Sequence, residues 1–288
     1  MNGKAQTIGF MQGRLCDCVD GKIQAFPWRD WESEFPAAAA IDLQLMEWTL
    51  DQDQLYENPL MTAIGQARIN ALCEQYGMAI PSLTGDCFMQ APFWKTEGTT
   101  KAALIEDFLA ICRACSAVDI RMIVVPLVDN GHLDNSAQED RLVEFLLSQR
   151  DFFAKNNVQI LFECDYSPSE LRRFIYRLPT EQFGINYDIG NSAGIGYDPV
   201  DEFAAYGERV LNVHVKDRML HGTTVPLGTG NADFECVFGL LARQGYQGNV
   251  IMQTARAREG EHDIVLARYR DLVQGWMTDA FAAPNRAA

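Results

Sequence analysis

Four side chains in the second half of the chain, Glu163, Asp188, His214 and Gln253, could share one ion. Each offers an oxygen or nitrogen lone pair. Carboxylates with an imidazole and an amide oxygen suit one divalent ion of borderline hardness, Mn2+, Mg2+, Co2+ or Zn2+. Taken singly, each has an ordinary reading. Glu163 is a polar strand end, Asp188 before Gly190 shapes a turn, His214 among valines is a satisfied core histidine, and Gln253 carries no signal. What sets them apart is position, because each lies at or near the end of a short apolar run, and the four runs are consecutive. Arg14, Glu47, Asp86, Asn191, Lys216, Asp217, Arg218 and Arg256 fall at comparable places and are expected to line a substrate. Arginine forks suit a phosphate, and so does the Gly228–Gly230 loop leading into a helix N-terminus. The bland alternative is surface charge, a tight loop, and a Lys216–Asp217 ion pair that positions His214.

The elements that must position these groups alternate along the chain. Candidate strands cover 6–11, 43–48, 79–83, 122–127, 158–163, 184–188, 211–216 and 249–254. Amphipathic stretches of helical length cover 31–40, 59–76, 100–118, 138–156, 169–177, 199–206, 234–244 and 264–276. Ser167-Pro168 and Asp198-Pro199 read as caps followed by proline in the first turn, and Asn231 to Asp233 offers a cap for the helix near Phe234. Strand starts recur at intervals of roughly 25 to 43 residues, the size of a βα unit. Eight such units predict a parallel sheet, and filling the whole length favours closure into one (β/α)8 TIM barrel over an open doubly wound sheet. The expectation is a single domain over 1–288 with an ordered core of about 5–277 and a disordered tail from 282. In such a barrel, chemistry gathers at the C-terminal strand ends, where all of these polar residues fall.

Composition narrows the partners. Among 288 residues, 24 Lys and Arg face 39 Asp and Glu, a net −15, which argues against a phosphate-backbone partner. A small anionic substrate stays open, since it needs only two or three local cations. The apolar runs fall short of the roughly 18 residues that span a bilayer, and the opening residues lack a secretory apolar stretch. The eight cysteines include one C-x-x-C, Cys112 to Cys115, in an apolar helical stretch; with no second such pair it reads as core. Reduced thiols in the cytoplasm, a small-molecule partner, no nucleic acid or membrane, and a possible homo-oligomer are the expectations. Trp28, Trp31, Trp48, Phe88, Phe93 and Trp94 read as core before they read as a sugar-binding wall.

Glu163 together with Tyr187-Asp188-Ile189-Gly190-Asn191 and Val213-His214-Val215-Lys216-Asp217 resembles the sugar phosphate isomerase/epimerase family of xylose-isomerase-like TIM barrels. Val225-Pro226-Leu227-Gly228-Thr229-Gly230, Asp233-Phe234 and Gly245-Tyr246-Gln247-Gly248 extend the likeness, which is strongest toward L-ribulose/L-xylulose 5-phosphate 3-epimerase-like proteins. The resemblance implies one divalent ion held by Glu, Asp, His and a second Glu. It also implies proton abstraction next to a carbonyl through a metal-stabilised enediolate. The first three ligands carry over to Glu163, Asp188 and His214, but Gln253 stands where the second acid belongs.

An amide is not a base near neutral pH, so Glu163 is the expected base. Two-base epimerisation then needs another acid, for which Asp217, Glu47 and Asp86 are the candidates. One-base isomerisation, or dehydration as in an inosose-dehydratase-like lyase, survives without it. A non-catalytic sugar- or partner-binding barrel with a degenerate metal site is the competing class. An endonuclease IV-like nuclease does not fit an acidic chain with four histidines.

Overall fold

The computed structural model describes residues 8–282. The strands are β1 Ile8–Met11, β2 Leu45–Thr49, β3 Ala79–Thr84, β4 Met122–Leu127, β5 Gln159–Cys164, β6 Phe183–Asp188, β7 Val210–Val215, β8 Asp217–Arg218, β9 Thr224–Val225 and β10 Asn249–Met252. Eight of them close a barrel in the order β1-β10-β7-β6-β5-β4-β3-β2, while β8 and β9 form a separate antiparallel ribbon. All eight expected strands are present, and every barrel pairing is parallel. Residues 6 and 7 of the first expected strand lie outside the described residues, as do 283–288 of the expected tail.

Register decides which side chains meet. Asp188 pairs with His214 across β6 and β7, and Ile251 pairs with His214 across β10 and β7. Side chains two apart share a face of a strand, so Asn186 and Asp188 align on β6, and Asn212 and His214 on β7. The inward-facing polar rows begin one layer below the strand ends.

Helical stretches differ from expectation at four places. The 31–40 stretch is helical only from Glu34, and 59–76 divides at Thr62 into the 3-10 turn Pro59–Met61 and the helix Ala63–Tyr76. The 138–156 stretch breaks at Gln149 into Ser136–Ser148 and Arg150–Asn156. The last helix runs over His262–Ala282, so Ala282 belongs to it rather than to a tail. Ser167 and Glu170 form a reciprocal capping box on Pro168–Ile175, and Asp198 caps Pro199–Tyr206. Asp233 caps Phe234–Arg243 by accepting from Cys236 N, whereas Asn231 accepts from Leu220 N. Helix Ile189–Ile195 follows β6 directly and is capped by Asp188, and helix Asp86–Gln90 begins one residue after β3 with Asp86 in its first turn.

Between barrel and helices lies an aromatic layer, with Phe108 in ring contact with Phe88, Phe93, Phe145 and Phe153. Burial of one such ring stabilises by about 1.5–3 kcal/mol. Trp48 and Trp94 are fully buried with their N–H groups satisfied by Asn58 Oδ1 and Gly131 O, and Trp28 and Trp31 pack against the same core. These aromatics are scaffold. Cys112 and Cys115 are buried in the Gly98–Ala117 helix, and all eight cysteines are free thiols. Among the described residues no helix is long and apolar enough to cross a membrane.

Candidate active site at the C-terminal end of the barrel

Glu163 from β5, Asp188 from β6 and His214 from β7 converge: one ligating atom of each lies within 4.8 Å of the others, and all three residues are buried. His214 Nδ1 is 3.1 Å from Glu163 Oε2 and 4.0 Å from Asp188 Oδ2. His214 Nε2 faces Glu47 Oε1 at 2.7 Å. An Nε2–H donated to Glu47 leaves the Nδ1 lone pair aimed at the two carboxylates, the arrangement a metal-ligating histidine takes. Asp188 Oδ1 caps the following helix at Asn191 N, 2.8 Å away, which turns Oδ2 toward the cluster. Oδ2 has no well-angled hydrogen bond, although Lys216 Nζ lies 2.6 Å away as an ion pair. Gly190 allows this, since a Cβ there would sit 2.8 Å from Lys216 carbons. Two carboxylates and one imidazole with its far nitrogen pinned fit a divalent cation, which would compete with the Lys216 ammonium for Asp188 Oδ2. The net −2 of this donor set matches the charge of that cation.

A layer of amides and hydroxyls holds the three in place. Asn186 Nδ2 is 2.9 Å from Glu163 Oε2 and 3.0 Å from His214 Nδ1, and its Oδ1 accepts from Asn212 Nδ2 at 2.8 Å. Asn191 Nδ2 donates to Glu163 Oε1 at 2.6 Å and its Oδ1 accepts from Arg218 Nη1 at 3.0 Å. Glu47 is fully buried and accepts from Ser82 Oγ at 2.6 Å, Asn212 Nδ2 at 3.0 Å and Thr84 Oγ1. Its carboxylate is therefore enclosed by its own donors at His214, Ser82, Thr84 and Asn212. Burial works against charge on Glu163, but its bond to His214 and the charges of His214 and Lys216 hold it below the usual carboxylate range. Burial pushes Asp188 up despite Lys216. Without an ion, burial opposes the His214 imidazolium, yet Glu47 and Glu163 lift it to about 10, so a cation would have to displace the Nδ1 proton that otherwise faces Glu163.

The remaining rim residues are occupied by protein. Gln253 Oε1 accepts from Lys216 Nζ at 2.9 Å and its Nε2 donates to Gln24 Oε1 at 3.0 Å. Gln24 Nε2 in turn donates to Asp86 Oδ2 at 2.8 Å. Asp217 accepts four backbone N–H groups, from Gly228, Thr229 and Gly230 on Oδ2 and Ala232 on Oδ1. Gly230 approaches so closely that a Cβ would fall 2.2 Å from Asp217 Oδ1. Arg14 donates to Thr254 O and Ile23 O, and Arg256 to Gly13 O and Cys16 O, so both guanidiniums staple the loop after β1 to the end of β10. Arg218 donates to Gly222 O as well as Asn191.

Sequence reasoning missed Asn186, Asn212, Ser82, Thr84 and Gln24. The first four carry a period-2 signal, since Asn186, Asn212 and Thr84 lie two positions before Asp188, His214 and Asp86, and Ser82 lies two before Thr84. Gln24 had none, because it comes from a loop.

Known proteins share this architecture. A family model described as xylose isomerase-like TIM barrel matches residues 35–272. The chain is 24% identical over 260 residues to L-ribulose-5-phosphate 3-epimerase UlaE of Escherichia fergusonii, covering 87% of this chain and 91% of that protein. D-psicose 3-epimerase of Clostridium cellulolyticum H10, solved with D-tagatose, superimposes with a TM-score of 0.75 at 13% identity, over 94% of this chain and 99% of that one. A xylose isomerase-like TIM barrel protein of Mycobacterium smegmatis, solved in complex with magnesium, gives a TM-score of 0.69 at 15% identity, over 96% and 98% of the two chains. At these identities the structural likeness speaks to the fold.

Proposed function

The chain belongs to the xylose isomerase-like TIM barrel family, and we propose that it is a divalent-metal-dependent isomerase or epimerase of a sugar or sugar phosphate. The observation that carries this reading is the convergence of Glu163, Asp188 and His214 at the ends of β5, β6 and β7. The name of the 24%-identical relative, an L-ribulose-5-phosphate 3-epimerase, supports the substrate class.

Glu163, Asp188 and His214 would hold the cation. When bound, it supplies a Lewis-acid charge that stabilises negative charge developing on a substrate oxygen. The chain's own residues do the rest. Glu163, kept ionised by Lys216 and the Asn186 amide, takes a proton from the carbon next to the substrate carbonyl, and the electron pair passes into that carbonyl. Asn191 and Asn186 hold one Glu163 oxygen each, so the base is oriented before substrate arrives. Glu47 fixes the ring of His214. Substrate enters at the rim, where Arg14, Lys216, Arg218 and Arg256 gather positive charge on a chain of net −15.

The test is proton NMR in D2O with Mg2+ and a panel containing L-ribulose 5-phosphate, unphosphorylated ketopentoses and ketohexoses, and the matching aldoses. Solvent deuterium should enter one member at the carbon beside its carbonyl. Glu163→Gln should lower that uptake by at least about 1,000-fold, in the range expected for a general base. No uptake by the wild-type protein from any member, or full uptake by the variant, would overturn the assignment.

A further inference from the structure

We propose that Asp86 is the second acid–base residue of this site, delivering a proton to the substrate from the side that Gln253 faces. This rests on the metal-dependent sugar chemistry proposed above and decides between inversion and simple isomerisation. The site needs such a group because Gln253, an amide, cannot exchange a proton at neutral pH.

Among the carboxylates Glu47, Asp51, Asp86, Asp165 and Asp217, elimination and geometry both point to Asp86, while the Lys216 ammonium is held between Asp188 and Gln253. Glu47 is closed off beneath His214 by its hydrogen bonds to His214, Ser82, Thr84 and Asn212. Asp217 is consumed by four backbone N–H groups. Asp51 spends its oxygens on Phe26 N and Gln90 Nε2. Asp165 follows Glu163 on the same strand end and pairs with His132, so it cannot serve the opposite side. Asp86 stands at the end of β3, separated from β5 by β4, so it approaches the mouth from a different direction. Among the described residues its carboxylate has one hydrogen-bond partner, the Gln24 amide, and that amide's oxygen meets Gln253 Nε2. One amide group therefore separates Asp86 from the side chain that replaces the acid. Burial lifts Asp86 to about 7; Gln24 and Arg14 oppose this, while Asp51 and Glu163 add to it, so a neutral-pH population carries the proton it would donate.

The step balances as follows. The carbon–hydrogen bond breaks toward Glu163, leaving the electron pair in the substrate's carbonyl system. The O–H bond of Asp86 then breaks, and its proton bonds the same carbon on the opposite face. The product leaves Glu163 protonated and Asp86 ionised, and exchange with water resets both.

The experiment follows uptake and inversion together, in D2O with Mg2+ and the ketose panel. The wild-type protein should form a C3 epimer whose first turnover already carries solvent deuterium at the inverted carbon. Asp86→Asn, nearly isosteric and still able to accept from Gln24, should keep deuterium uptake into the starting ketose within about tenfold. It should lower epimer formation by at least about 100-fold. Equal loss of uptake and inversion, or inversion at the wild-type rate, would overturn the role of Asp86. So would a wild-type epimer that retains its original hydrogen, a readout that needs no variant. Uptake with isomerisation and no inversion by the wild-type protein overturns Asp86 alone. Absence of any uptake overturns the metal-dependent reading itself.

Discussion

Removing the Asp217 carboxylate should unpin the loop that ends at the Phe234–Arg243 helix, and the cost follows from the structure. Asp217 is almost fully buried and accepts N–H groups from Gly228, Thr229, Gly230 and Ala232 at 2.8 to 3.1 Å. Hydrogen bonds to a charged acceptor contribute about 1.5–3 kcal/mol each, so four set a ceiling of about 6–12 kcal/mol. Gly228 and Thr229 are exposed and regain water when the carboxylate goes, while Gly230 and Ala232 are only half open. Asp217→Ala should therefore cost about 3–5 kcal/mol, with a fall in Tm of roughly 10 °C for a domain of this size. Asp217→Asn keeps one acceptor oxygen but sets an N–H against the donors on its other side, and should cost about half as much. Urea unfolding followed by fluorescence reads both. Activity should fall with stability, because Asn231 N in that loop donates to Arg218 O, and Arg218 holds Asn191 against Glu163. A loss below about 1 kcal/mol for the alanine variant would refute the claim that these N–H groups depend on Asp217.

Two further perturbations test the electrostatics. Lys216→Met removes the ammonium that sits 2.6 Å from Asp188 Oδ2, so affinity for Mn2+ measured by titration calorimetry should rise about tenfold, near 1.4 kcal/mol. A weaker affinity would instead mean that Lys216 orients Asp188 for the ion. Glu34 is fully buried, accepting from Gly13 N and Leu15 N, and burial lifts it from 4.5 to about 7 against those bonds. Its folded-state pKa lies above the unfolded one, so its contribution is fully present below about 4.5 and is lost as pH rises through about 7. Glu34→Gln should remove about 2–3 kcal/mol of that pH dependence, seen as a flatter curve of unfolding midpoint against pH between 4 and 8. An unchanged curve would place the titration elsewhere.

The strands, their parallel order and the rim position of Glu163, Asp188 and His214 were legible in the sequence. They depend on hydrophobic runs of strand length recurring at the spacing of βα units, and on side chains that alternate faces, both local properties of the chain. Cap residues such as Ser167 and Asp198 were legible for the same reason: their partners lie within three residues. What the sequence could not assign was which polar groups face one another across the barrel. Glu47 looked like a rim residue because it lies on β2, and only the closed sheet brings it 2.7 Å from His214, 167 positions away. Asp217 looked like a ligand-binding acid until the fold turned the Gly228–Gly230 loop back onto it. Gln24 and Gln253, 229 positions apart, meet only because β1 and β10 are neighbours at the seam of the barrel. Local pattern fixes the elements and their faces, since backbone hydrogen bonding and burial act over a few residues. Hydrogen bonds between side chains on different strands depend on closure and register, and these are properties of the whole sheet.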